Sequence, residues 1–197
     1  MDAARTTQRS ASQPAHATHR WPVAAGRAAT QRAADRYRVM LPSLGPDGTR
    51  AEAAMTQLYW EDVEEGQDIP SLDEEMSSQR LVIWAAASGD FYQIHFDDNY
   101  AKGNNLPDIL VHGPLKSALL GRLLDEWVGD EGRILRWSAS NRAMDVARQN
   151  LTIWGRVTRK YEGDGESLID LDIGVAQPNG TQTTPGTATV ALPRRST

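Results

Sequence analysis

Pro114-Leu115-Lys116-Ser117-Ala118-Leu119-Leu120-Gly121-Arg122-Leu123-Leu124-Asp125-Glu126-Trp127-Val128 is the stretch on which the fold turns. Leu115, Leu119, Leu123 and Trp127 recur at helical spacing, and Leu120 and Leu124 widen the stripe. A stripe of that width predicts a helix mostly buried against something flat. Pro114 suits its first turn, where a missing N–H costs nothing. After Gly132 the period switches from helical to alternating. Segments near 133–144, 149–161, 166–177 and 181–192 are rich in Ile, Val, Thr, Leu and Trp. Glu162-Gly163-Asp164-Gly165 and Pro178-Asn179-Gly180 read as turns between them, which predicts an antiparallel meander. A curved antiparallel sheet wrapped around one long apolar helix is the simplest packing solution, an α+β fold.

Upstream of the helix the texture is mixed. Tyr59-Trp60-Glu61-Asp62-Val63-Glu64-Glu65-Gly66 is an aromatic and acidic opening that ends in a turn, and 67–76 reads as extended. Ser77 and Ser78 are candidate N-caps for a helix over about 79–88, with Leu81, Ile83, Trp84 and Ala87 as its apolar side. Gly89 stops that helix, in the position where a left-handed residue is cheapest. Ser88-Gly89-Asp90-Phe91-Tyr92-Gln93-Ile94-His95-Phe96-Asp97 follows, placing an acid and a histidine five positions apart. Asp97 to Lys102 adds a short helical turn, and Val111-His112-Gly113-Pro114-Leu115 opens the long helix.

The 197 residues allow one domain with a tail, and 55–197 reads as that single domain. Residues 1–54 hold eight arginines against four acids and show no apolar period. Disorder, an organelle-targeting presequence and a non-native extension preceding a true start at Met55 all fit that composition. The rest carries 13 basic and 22 acidic side chains, an acidic surface that argues against nucleic-acid binding. No apolar run is long enough to cross a bilayer as a helix. The absence of cysteine removes disulfides and thiol nucleophiles, and favours a cytoplasmic setting.

From about residue 58 to 192 the chain resembles the MaoC-like hydratase/dehydratase family, which includes (R)-specific enoyl-CoA hydratases of hot-dog fold. The family's hydratase motif, Gly-Asp-x-Asn-Pro-x-His-x-Asp, stands here as Gly89-Asp90-Phe91-Tyr92-Gln93-Ile94-His95-Phe96-Asp97. Its second signature, a His-Gly at the start of the central helix, matches His112-Gly113. The usual Asn-Pro is replaced by Tyr92-Gln93, and the usual Met after His-Gly is Pro114. The resemblance implies a hot-dog fold and water addition or removal across a trans-2-enoyl thioester. It assigns water activation and proton transfer to Asp90 and His95.

Such chemistry also needs a donor already aimed at the thioester oxygen. The N–H of Gly113 at the helix start fits that need, and the missing Cβ would let a carbonyl approach. Tyr92, Gln93, His112 and Leu115 are the expected substrate neighbours, with His112 bracing the turn. Taken singly, Asp90 reads as well as a turn residue and His95 as a partly buried ring; their joint occurrence in this order favours a site. Arg133, Arg136, Arg142 and Arg148 suit either coenzyme A phosphates or plain solubility. No resident metal or cofactor is expected beyond the coenzyme A of the substrate. The exposed sheet edge of a single unit implies a homodimer or larger homo-oligomer, or pairing with a related hot-dog subunit. A hot-dog thioesterase and a non-catalytic subunit are the competing readings.

Overall fold

The computed structural model describes residues 57–196; the expectations for residues 1–54 and for a start at Met55 lie outside them. Strand β1 (Leu72–Glu75) leads into helix α1 (Ser78–Ser88). A short helix α2 (Asp98–Gly103) and the long helix α3 (Gly113–Val128) come next. Strands β2 (Arg133–Ala139), β3 (Asn150–Gly163), β4 (Glu166–Ala176) and β5 (Gln182–Ala191) complete the chain.

Local chemistry accounts for the boundaries. Ser77 caps α1 by accepting the Arg80 N–H at 3.2 Å, and Gly89 ends it with φ of 77°, where a Cβ would be strained. α1 buries Leu81 and Ala85, while Ile83, expected on its inner side, is 61% exposed. The turn between β3 and β4 is tighter than expected. Gly163 pairs directly with Glu166, leaving Asp164 and Gly165 as a two-residue loop with positive φ at both positions.

All strand pairs are antiparallel, in the spatial order β1-β3-β4-β5-β2. The expected meander holds for β3, β4 and β5 only. β2 pairs with β5 at the far edge, so the chain must cross back from β2 to β3 through residues 140–149. That crossing is tied down along its length. Arg142 and Ala143 donate to the Thr183 carbonyl, Val111 donates to Asp145, and Ala147 donates to Ile109.

Irregular register between Val157 and Arg159 in β3, and between Ile134 and Arg136 in β2, bends the sheet. Its inner face presents Leu151, Ile153, Val157, Leu171, Ile173 and Val190 to α3. The helix answers with Leu115, Leu119, Leu120, Leu123, Leu124 and Trp127, all buried. This is the expected hot-dog arrangement, an apolar helix held in a curved sheet. Its consequence for function is positional: the start of α3 emerges between the loop after α1 and the 140–149 crossing.

Candidate active site

The loop after α1 is organised by its own backbone. The Asp90 N–H donates to Ser88 Oγ at 3.3 Å, and the Tyr92 N–H donates to Asp90 Oδ1 at 3.3 Å, an Asx-type turn. A single 3-10 turn, Gln93–His95, then brings the imidazole back over the acid. His95 Nε2 lies 3.9 Å from Asp90 Oδ2. That is too long for a direct hydrogen bond, yet two atoms so placed can each bind one water at about 2.8 Å.

The ring's tautomer is set from the other side. His95 Nδ1 lies 2.8 Å from the Leu110 carbonyl, which can only accept, so Nδ1 carries the hydrogen. Nε2 is therefore the ring nitrogen left facing Asp90. Leu110 is itself fastened by donating its N–H to the Ile94 carbonyl at 2.8 Å. The Asp90 side chain keeps 44% of its surface exposed and that of His95 only 11%, so the acid is open and the base is sheltered.

His112 lies beneath this pair. Its ring stacks on that of His95 with centroids 3.8 Å apart and an 18° tilt. It is completely buried, its Nε2 lies 3.3 Å from the Asp90 carbonyl, and its Nδ1 has no partner among the described residues. Burial first, and the neighbouring His95 charge second, push its pKa below the ordinary histidine value. His112 is a neutral floor under His95, with no surface of its own open to a ligand.

The other expected residues separate. Tyr92 and Gln93 are exposed, and the Tyr92 ring meets His95 edge-on at 6.3 Å and Tyr100 at 6.1 Å. Leu115 belongs instead to the buried core cluster. Asp97 caps α2 by accepting the Asn99 and Tyr100 N–H groups. Gly113 is the first residue of α3, and the first intrahelical bond is made by Lys116 N–H to the His112 carbonyl. The N–H groups of Gly113 and Leu115 precede that bond and have no partner within the helix. The space left by Gly113's missing Cβ is filled by Asn141, whose Nδ2 would stand 2.7 Å from such a Cβ. Asn141 therefore covers the Cβ side of Gly113.

The arginines also sort out. Arg133 pairs with Glu166, Arg148 with Asp98 and Asp108, and Arg136 donates to Thr189 Oγ1. Arg142, exposed beside Asn141, makes no ion pair among the described residues.

One pair escaped the sequence reading altogether. Lys116 Nζ lies 2.8 Å from Asp145 Oδ2, with the two side chains 3% and 0% exposed. Asp145 also accepts from Thr183 Oγ1 at 2.7 Å and Gln177 Nε2 at 3.0 Å, and Lys116 donates to the Ala143 carbonyl at 3.2 Å. A signal existed: Lys116 falls in the same i, i+4, i+8 row as Leu120 and Leu124, on the buried side of α3.

Asp90, His95 and His112 also form a cluster whose ligand atoms lie within 4.8 Å of one another, a grouping their spacing in sequence did not reveal. The two imidazole rings are stacked and near-parallel, whereas a shared metal ion needs ligand atoms that converge on it. His112 Nε2 is moreover engaged by a carbonyl.

Residues 62–161 match the model of the MaoC like domain, about half of the chain. The protein belongs to the MaoC-like family. Among solved structures, this MaoC-like chain is similar to the (R)-hydratase from A. caviae involved in PHA biosynthesis. Identity is 25% and the TM-score 0.60, over 66% of this chain and 98% of that one. It is similar in fold to the R-hydratase PhaJ1 from Pseudomonas aeruginosa, at 21% identity and a TM-score of 0.63, covering 71% of this chain and 88% of that one. A third likeness is to the ChsH1-ChsH2 complex from Mycobacterium tuberculosis, at 22% identity and a TM-score of 0.58, covering 66% and 98%. No curated protein matches the MaoC-like chain. No described helix is long and apolar enough to cross a membrane.

Proposed function

We propose that this MaoC-like protein is a hydro-lyase, adding water to or removing it from a trans-2-enoyl-CoA. One observation carries the reading. His95, held at Nδ1 by the Leu110 carbonyl, turns Nε2 toward an open carboxylate at water-bridging distance, beside the start of α3. A water held between Asp90 Oδ2 and His95 Nε2 is polarised at both ends. As its oxygen bonds the β-carbon, the pair takes up a proton and supplies one to the α-carbon on the same face. Electron density moves meanwhile to the thioester oxygen, which the Gly113 N–H and the α3 dipole stabilise. Family membership and the likeness to an (R)-hydratase at 25% identity support this direction of chemistry.

The sheet supports an assembly. β2 is an edge strand in which Leu135 and Trp137 are 42% and 37% exposed. Pairing of two β2 edges would join two sheets into one, and a homodimer so formed is the proposed working unit. A related hot-dog subunit in place of the second copy is the second reading, favoured by the likeness to a two-component complex.

The test is a turnover assay on purified protein with crotonyl-CoA and longer enoyl-CoA esters. Loss of the enoyl thioester's ultraviolet absorbance, with no free thiol released, is the expected result. Thiol release at the rate of substrate loss would instead identify a thioesterase. Activity that appears only when a second hot-dog subunit is added would favour the two-component reading.

A further inference from the structure

The carboxamide of Asn141 occupies a position that nothing in the family motif describes. A Cβ on Gly113 would meet Asn141 Nδ2 at 2.7 Å and Cγ at 3.3 Å, so the amide lies directly against the first residue of α3. The Thr184 hydroxyl donates to Asn141 Oδ1 at 3.1 Å, which turns the NH2 end toward Gly113. A Cβ sits about 2.5 Å from the amide nitrogen of its own residue. Asn141 Nδ2 and Gly113 N are therefore within about 5 Å of each other, and two donors at that spacing can reach one oxygen at about 2.9 Å each. Asn141 is an exposed residue, at the surface beside the start of α3.

We infer that Asn141 is a catalytic residue, a second donor beside the Gly113 N–H to the thioester carbonyl oxygen; this deepens the hydratase reading above and rests on it. As water adds to the β-carbon, the α,β double-bond electrons shift and the carbonyl π-bond becomes a C–O⁻. The two N–H groups shorten onto that oxygen. When the α-carbon takes its proton the carbonyl re-forms, and Asn141 itself gains and loses no bond. Thr184 holds the amide at the correct angle before substrate arrives, which is what makes a neutral donor effective.

The test uses the full chain with Asn141→Ala and Asn141→Asp, the latter setting a carboxylate where the oxyanion would form. In a second pair of variants, Asp90→Asn and Asp90→Asn/Asn141→Ala, turnover should be slow enough for bound ester to be observed. Turnover of crotonyl-CoA and longer esters gives kcat and KM. The infrared carbonyl stretch of bound carbonyl-13C crotonyl-CoA reports polarisation directly. Expected for Asn141→Ala are a fall in kcat on the order of 10²–10³ with little change in KM, and an unchanged melting midpoint. Asn141→Asp should fall further, and the stretch should move back toward its free value in the double variant. Wild-type kcat in Asn141→Ala, or an unchanged stretch in the double variant, would overturn the role of Asn141 alone. Absence of any ester binding to Asp90→Asn would overturn the hydratase reading beneath it.

Discussion

Two acid–base pairs flank the start of α3, and they are built in opposite ways. Lys116–Asp145 is dry, 2.8 Å apart, and its carboxylate is saturated by Lys116, Thr183 and Gln177. Asp90–His95 is 3.9 Å apart, half open, and Asp90 Oδ2 accepts no hydrogen bond from the described residues. A saturated pair has nothing left to offer a ligand, so its role is to fix geometry. An unsaturated pair next to a helix start retains both a ring nitrogen and a carboxylate oxygen for a guest. Charge and histidine content alone do not distinguish them; the number of partners already satisfied does.

The sharpest way to break the comparison is to disable the open pair. Asp90→Asn and His95→Ala should each reduce turnover on the order of 10² to 10⁴, while the urea midpoint barely moves. A large loss of stability in Asp90→Asn, with activity retained, would make that pair the structural one. Next in size is the buried pair. Lys116→Met leaves Asp145 charged and unpaired, which costs about 3–5 kcal/mol of unfolding free energy in urea titrations. Lys116→Met/Asp145→Leu should recover most of it, because an apolar pair needs no desolvation. If the single variant unfolds no more easily than wild type, the pair is not the anchor described here.

The smallest effect concerns His112. Its native pKa lies below the ordinary value of about 6.5. The unfolded chain then binds a proton first as pH falls, so the contribution is full above the ordinary value. It declines from there down to the lower native pKa. Denaturation free energies measured through that window should drop on acidification, and His112→Gln should flatten the slope. An equal slope in the variant would assign the pH dependence to other groups.

Much of this arrangement was legible from short-range pattern. The leucine row of α3, the Ser77 cap, the stop at Gly89 and the alternation of β3, β4 and β5 all rest on interactions within a few residues. The position of β2 was not, because alternation shows that a strand exists but not which neighbour it pairs with. The 140–149 crossing was hidden for the same reason: it runs on from β2 without a Gly- or Pro-rich break and was read partly as strand. The partner of Lys116 was not legible because Asp145 lies 29 residues away in the 140–149 crossing, and Asn141 carries no motif at all.

By itself, the sequence determined the helix and strand inventory, the family resemblance and the order of Asp90, His95, His112 and Gly113 along the chain. The tertiary structure decided that the two imidazoles stack, that His95 presents Nε2, that Lys116 is paired and that Asn141 meets Gly113. The physical reason is range. Caps, turns and periodicity are energies of neighbours in sequence. A ring's tautomer, a buried charge's partner and a donor's aim are energies of neighbours in space, between segments brought together only when the sheet closes around α3.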